Sequence, residues 1–446
     1  MKKLLIALMI AACSCTPEDV IFELEPIEGD ATEMIQEKLD ACNLAGGGKV
    51  VLNEGTYLVG GLFMKSNTTL YLKSGAELCG HRDCALYRPS EDTFIWDTDD
   101  TGGRRAVNAA SQWNDAIIRI YKAENVAVIG EKGSVIDGNN SYNPDGEEHY
   151  RGVHGISAHK CTNLHFEGYT IRNTGNWAHN VWKSTDVVFA NLTIWAGHDG
   201  VHFRGCTGVK VENCDMQTGD DSIAGFDNQN VTINNCSLNT SCSAFRFGGT
   251  HVSIDNCRCY GPGVYPHRGT LTDEQKTAGA MASDNEGRRN MLSVFTYFAD
   301  KSLPIREQAG DITITNMSCE NVDRFLHYNL SGNETWQQGM PLQDITFKNV
   351  SAEGIKMPLC AYADENIPFR LTLENCNFSF DADIQEFIKG AYISSLELSN
   401  VSIKSPSEIP LVRIWAGENP EMNLDNVSGI TPEAASSEEP FKTANI

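Results

Sequence analysis

Asp186-Val187-Val188-Phe189, Gly208-Val209-Lys210-Val211, Asn230-Val231-Thr232-Ile233 and His251-Val252-Ser253-Ile254 are four copies of one phrase. Counted from Val187, they recur at steps of 22, 22 and 21 residues. Each copy alternates apolar and polar positions, the pattern of a short strand with one buried face. Working outward, earlier copies begin at Asn125 and Asn163, later ones at Asp311 and Asp344, and weaker ones near Leu371, Leu396 and Met422. Asn, Gly and Asp punctuate the strands, as turns require. Helical periodicity is absent through this region. Short strands with a period just above twenty predict an all-β, right-handed parallel β-helix, each coil stacked on the last. A leucine-rich repeat would need a recurring Leu frame, and a propeller a period about twice as long.

The repeats set the expected organisation. Ala31 to Ala41 reads as an amphipathic capping helix with Met34, Ile35 and Leu39 inward, ended by Gly46-Gly47-Gly48. Open solenoid ends expose strand edges, so a cover is expected. Residues 30–430 then form one β-helix domain, and 431–446 a polar tail. Insertions at about 139–160 and 260–308 break the rhythm, and in repeat proteins such loops gather on one face, often the binding face. Ahead of the domain, Lys2-Lys3, the apolar run Leu4 to Ile10 and Ala11-Ala12 read as a signal peptide over 1–12. Ile10-Ala11-Ala12-Cys13 resembles a bacterial lipobox, with Cys13 the lipidated residue and 13–29 a tether. The apolar run is too short to span a bilayer. The expectation is an exported outer-membrane lipoprotein, on the periplasmic or the surface face, held at the membrane only by its lipid.

The 446 residues carry 59 Asp and Glu against 35 Lys and Arg, a formal net charge of -24. With no basic block, nucleic acid is not an expected partner. An anionic polymer gains no general attraction either, so local Arg residues would have to bind it. Fifteen Cys in an exported chain would ordinarily suggest disulfides. Here Cys214, Cys236 and Cys257 each follow an Asn (Asn213, Asn235, Asn256) at repeat spacing, which predicts a column of buried thiols beside a column of Asn. Cys79 with Cys84 could still be a disulfide. Zinc needs ligands that converge on a point, so no metal site is expected.

The same period serves as a ruler for chemistry. Asp199 in Gly197-His198-Asp199-Gly200 lies 22 residues before Asp221 in Gly219-Asp220-Asp221, and another 22 residues lead to Ser243. His202 maps to Ala224 and then Arg246. Backwards, through the 23-residue step from Leu164 to Val187, Asp199 maps to Asn176 beside Trp177. Coils stack about 4.8 Å apart, so three carboxylates should crowd one spot. Crowding raises at least one pKa, leaving one Asp to donate a proton while its partners polarise water. That is the division of labour in an inverting glycosidase, with acid and base usually about 6.5–9.5 Å apart. A calcium site or self-capping turn aspartates are the other uses of such a cluster.

These residues resemble family 28 of the glycoside hydrolases, the polygalacturonase family, across roughly residues 30–350. The similar phrases are Gly46-Gly47-Gly48-Lys49-Val50 to Gly55-Thr56-Tyr57, then Val135-Ile136-Asp137-Gly138, then Asn173-Thr174-Gly175-Asn176-Trp177-Ala178-His179. The family's Asn-Thr-Asp motif is matched in its last residue, Asp199, and its Gly-Asp-Asp motif fully, by Gly219-Asp220-Asp221. The resemblance implies a pectin-lyase-like solenoid that hydrolyses a pectic or related polysaccharide with inversion and without a cofactor, as a monomer. It implies Asp220 as general acid and Asp199 and Asp221 as the bases holding water. Two family motifs are missing: Cys242-Ser243-Ala244 stands in place of Gly-His-Gly, and nothing from Ser293 to Tyr297 matches Arg-Ile-Lys, the carboxylate grip. Arg246, then Arg268, Arg204 and Arg288, are the replacement cations. His179, His198 and His202 are candidates for the lost His. Trp177, Trp182, Trp195 and Trp336 are candidate sugar platforms. The substrate-binding set is thus Asn176, Trp177, His179, His202, Ser243, Arg246 and Arg268. A calcium-assisted polysaccharide lyase with Arg246 as base, and a non-catalytic glycan-binding β-helix, are the alternative functions.

Overall fold

The computed structural model describes residues 20–87, 115–279, 284–300, 306–332, 337 and 340–437. Its strands pair in parallel, coil upon coil, in one continuous β-helix. One coil consists of His179–Trp182, Thr185–Ala190 and Thr193–Ala196, and the next of Val201–Arg204, Thr207–Glu212 and Asp215–Thr218. Each coil therefore gives one strand to each of three faces. The repeated phrase is in register throughout: Val126, Leu164, Val187, Val209, Val231, Val252, Ile312, Ile345, Leu371, Leu396 and Met422 lie opposite one another in sequence. Strand alternation puts these side chains inward with Phe166, Phe189, Phe203 and Phe245 in one apolar core.

Helix α1 (Thr32–Leu44) covers the N-terminal end and buries Ile35, Leu39 and Cys42, with Met34 partly buried against the core. Three boundaries differ from expectation. Val20–Leu24, inside the expected tether, is a strand paired with Gly48–Leu52, so the solenoid begins earlier. Ile430–Ser436, inside the expected tail, pairs with Ile409–Ile414 and belongs to the last coil. The second insertion is two loops, because Met291–Tyr297 between them is a regular strand against Ser243–Phe247 and Val322–His327. A period interrupted twice in one coil is not visible as a period. The signal segment, Cys13 and Trp336 lie outside the described residues.

No disulfide joins the described cysteines, Cys79 and Cys84 included, and Cys214, Cys236 and Cys257 are buried. The neighbouring asparagines form a ladder: Asn235 Nδ2 donates to Asn213 Oδ1 at 3.2 Å and Asn256 Nδ2 to Asn235 Oδ1 at 2.7 Å. All three have a positive φ of 50–55°, the left-handed conformation that Asn tolerates better than most residues.

Candidate active site

The face built from His179–Trp182, Val201–Arg204, Ile223–Gly225, Ser243–Phe247 and Met291–Tyr297 carries the site. Asp199 and the pair Asp220-Asp221 occupy the short turns that lead into two of its strands. Gly200 N donates to Asp221 O and Ser222 N to Ser243 O, so the turns stack like the strands. Thr218 and Thr240, opposite each other in register, both donate their hydroxyls to Asp220 O, at 2.8 and 2.5 Å. Gly219 has no room for a side chain: a Cβ would meet Pro266 O at 2.5 Å and Gly197 O at 2.6 Å. The turn is thereby fixed from its own coil, from the next coil and from the second insertion.

Carboxylate oxygens of Asp199, Asp220 and Asp221 lie within 4.8 Å of one another. The three residues are 2%, 7% and 1% exposed. This is closer than the roughly 6.5–9.5 Å separation expected between acid and base, because Asp220 is the chain neighbour of Asp221 and lies one coil from Asp199. Two acceptors at that span are what one water bridges with two hydrogen bonds of about 2.8 Å. Ser243 N donates to Asp221 Oδ1 at 3.1 Å, and Arg246 Nη1 lies 3.5 Å from Asp221 Oδ2. Arg246 also rests on the Phe298 ring, 4.0 Å from its centroid.

Both insertions converge on Asp220. From the second, Arg268 Nη1 lies 2.5 Å from Asp220 Oδ2, and His267 Nε2 lies 4.0 Å from Oδ1. From the first, Glu148 accepts from Arg268 at 3.1 Å and from Arg151 at two atoms. The proton balance follows. Burial pushes the Asp199 carboxyl well up, and the charges of Asp220 and Asp221 push it further. Burial and Asp220 likewise raise Asp221, against the pull of Arg246. Burial would raise Asp220 too, but Arg268, with His267, Arg151 and Arg246, overcomes it and holds this carboxyl below the usual range. Of the three carboxyls, Asp199 and Asp221 therefore hold a proton more readily than Asp220.

The structure brings Ser243, Arg246 and Arg268 to the aspartates and places the other expected residues differently. The turn before His179 is one residue longer than the turn before Val201, so His179 pairs with Val201 and Trp177, not Asn176, takes the position opposite Asp199. Asn176 is buried and accepts from Arg151 Nη1 at 3.1 Å and from Trp177 N at 3.0 Å. Trp177 is no exposed platform: it is buried, its ring parallel to the His202 imidazole with centroids 3.8 Å apart. His202 is also buried, with Nδ1 2.6 Å from Asp199 Oδ2, so it holds a carboxylate instead of meeting solvent. His179 points inward by strand alternation. It lies between Phe166 and Phe189 with Nε2 2.9 Å from the Tyr169 hydroxyl, out of the site altogether.

Sequence reasoning missed Glu148, Arg151 and His267 because they lie in insertions, where the repeat measures nothing. It also missed Cys242, whose thiol faces the carboxylates. A 22-residue step from Asp220 leads to Cys242, and that signal could have found it. Among the described residues two groups have the geometry to hold a metal ion, Asp199-Asp220-Asp221 and Asp220-Cys242-His267. In both, Arg268 already supplies Asp220 with a counter-charge.

Residues 101–244 match the sequence profile of glycosyl hydrolases family 28. No curated protein matches the chain in sequence. Among solved structures, the chain is similar to a hyperthermoactive exopolygalacturonase from Thermotoga maritima, at 15% identity and a TM-score of 0.59, with 91% of this chain and 93% of that one covered. It is similar to a polygalacturonase from Erwinia carotovora ssp. carotovora, at 15% identity and 0.54, covering 88% and 98%. It is also similar to the surface protein and adhesin PfbA of Streptococcus pneumoniae, at 13% identity and 0.54, covering 86% and 96%. These likenesses show the fold, and the adhesin among them means that the fold alone does not make an enzyme.

Proposed function

Proceeding from a chain that is like family 28 of the glycosyl hydrolases over residues 101–244, we propose that it hydrolyses a glycosidic bond in a pectic or related plant polysaccharide by single displacement, with inversion. The observation that carries this reading is the convergence of three buried carboxylates from two adjacent coils. Asp220 gives a proton to the leaving oxygen as the bond from that oxygen to the anomeric carbon breaks. Asp199 and Asp221 hold one water between them. The water oxygen bonds to the anomeric carbon from the opposite side, and its proton passes to the Asp199–Asp221 column. Ser243 N and Arg246 fix Asp221, and His202 fixes Asp199.

Closure on one side favours attack at a chain end. Tyr150, from the first insertion, packs on the buried His198 beside the cluster, with ring centroids 5.9 Å apart, and covers that side of the aspartates. The protein works as an exported lipoprotein anchored through Cys13, which the lipobox-like Ile10-Ala11-Ala12-Cys13 supports. Replacing Cys13 with Ala should release the protein from the membrane fraction.

The decisive experiment is a screen of pectic oligosaccharides with the first product followed by proton NMR. An inverted anomer is expected. A retained anomer would overturn the single displacement, and an unsaturated product would replace hydrolysis with elimination.

A further inference from the structure

The pairing of Arg268 with Asp220 poses a chemical problem for the reaction just proposed. Asp220 must carry a proton to donate it, yet Arg268 pairs with that carboxylate at 2.5 Å. The same guanidinium spans to Glu148 at 3.1 Å, and its Nε is a buried N–H without a hydrogen-bond partner among the described residues. A buried donor of this kind is open to an anionic partner. His267 cannot take the guanidinium away. Its Nδ1 accepts from Gly269 N at 3.2 Å, so the neutral ring carries its proton on Nε2, toward Asp220. Burial and the nearby Arg268 and Arg288 keep that ring neutral, lowering its pKa to about 4 against the pull of Asp220.

We propose that Arg268 is a charge latch: it pairs with Asp220 in the empty site and exchanges that partner for an anionic group, carboxylate or sulfate, on the bound sugar, so that Asp220 can carry the leaving-group proton only when such a sugar is present. The proposal rests on the hydrolytic reading above. A guanidinium suits the exchange, since it binds planar anions bidentately and its Nε and one Nη form a fork. Once Arg268 turns to the ligand, Asp220 loses its nearest cation while still buried beside two acidic neighbours. The single proton of the cluster then passes from the Asp199–Asp221 column to Asp220, and nothing is drawn from solvent. Cleavage hands that proton to the leaving oxygen, and the attacking water returns one to the column. The cluster ends with the proton on the column and Asp220 bare, which is its ligand-free distribution. As the product leaves, Arg268 closes on Asp220 again.

The groups facing Asp220 are Asp199 and His198 from the preceding coil, Asp221 in its own turn, Cys242 and Arg246 from the following coil, Glu148, Tyr150 and Arg151 from the first insertion, and His267 and Arg268 from the second. Of these, Arg268 makes the closest contact with the Asp220 carboxylate, from the short 3-10 turn Arg268–Thr270 in the second insertion.

The test compares oligogalacturonides, the same oligomers methyl-esterified, and sulfated oligosaccharides as substrates for the full chain. Wild type should cleave an anionic form at least about a hundredfold faster in kcat/KM than the ester, the effect of two pKa units on the donor. Arg268→Gln should bring that ratio to within about threefold and move the acid limb of the kcat/KM profile up by about a unit or more, as loss of a neighbouring cation requires. Arg268→Lys should keep the preference. Sulfated but not carboxylated cleavage supports the latch and fixes the anion. An ester cleaved as fast as the acid by wild type, or an Arg268→Gln variant that loses both substrates equally with an unmoved profile, overturns it. If Arg268→Gln does not fold, Glu148→Gln decides: with Arg268 committed to Asp220 alone, the acid limb should move down, and an unmoved limb overturns the latch. Asp220→Asn separates the two failures, because turnover surviving in that variant defeats the hydrolytic reading itself.

Discussion

Two columns run along this solenoid at the same period and obey opposite rules. The asparagine column repeats one residue: Asn213, Asn235, Asn256, Asn316, Asn349, Asn375, Asn400 and Asn426 all have φ between 50 and 55°. Their amides hand one hydrogen bond up the column at 2.7–3.2 Å, except where Asn316 turns to Asp255 across the long insertion. The site column keeps no single residue: it runs Trp177, Asp199, Asp221, Ser243, Ser293 and Arg324. An amide is donor and acceptor at once, so identical amides stack favourably. Identical carboxylates repel, so a column of them cannot extend. Repetition marks a backbone problem solved the same way in each coil, and its interruption marks chemistry.

The largest break in that contrast should come from Asp220→Asn. It leaves the shape and the threonine bonds to the Asp220 carbonyl intact, and removes the proposed donor. Turnover should fall by about a thousandfold, measured as reducing ends released, while product binding by calorimetry persists. Asp199→Asn should cost about a hundredfold in turnover, and it carries a sign that can be checked. The folded pKa of Asp199 is raised above its unfolded value. The folded state therefore binds the proton more tightly, and stability falls as pH rises from about 4, the ordinary Asp value, toward the folded pKa. The Asn variant escapes that loss. It should melt higher than wild type near neutral pH, and the gap should close as the pH approaches 4. A gap that widens in acid would mean that Asp199 is ionised in the fold.

The fold was legible because a repeat is an internal ruler: eleven copies of one phrase, from Val126 to Met422, lie opposite one another as counted. The same ruler put Asp199, Asp221 and Ser243 in one line, and Arg246 two coils from His202. It failed where one extra residue entered a turn, sliding Asn176 out of place and Trp177 into it. It was silent on insertions, whose path depends on tertiary contacts, and so missed Glu148, Arg151 and His267. Polarity misled at His179, since a His can sit in a core when its ring nitrogens find the Tyr169 hydroxyl and the Gly200 carbonyl.

A smaller effect tests how the site column is held. His202→Phe keeps an aromatic ring under Trp177 and deletes the 2.6 Å bond to Asp199. We expect kcat to drop about tenfold with KM nearly unchanged, the size of one lost bond to a charged or proton-sharing group. A KM effect alone would make His202 a binding residue, as the sequence first suggested.

The smallest effect belongs to the other column. Asn235 both donates to Asn213 and accepts from Asn256, at a φ of 55°. Asn235→Ala removes two exposed amide bonds and forces a Cβ into left-handed backbone, a loss of about 2 kcal/mol. Asn235→Gly loses the same bonds but relieves the backbone, so about 1 kcal/mol is expected. Neither should change turnover, because no side chain of this column reaches the aspartates. Denaturant midpoints ordered wild type, Gly, Ala would assign the asparagines to backbone conformation first and to the ladder second. Equal losses for Gly and Ala would reverse that order and make the ladder itself the stabilising element.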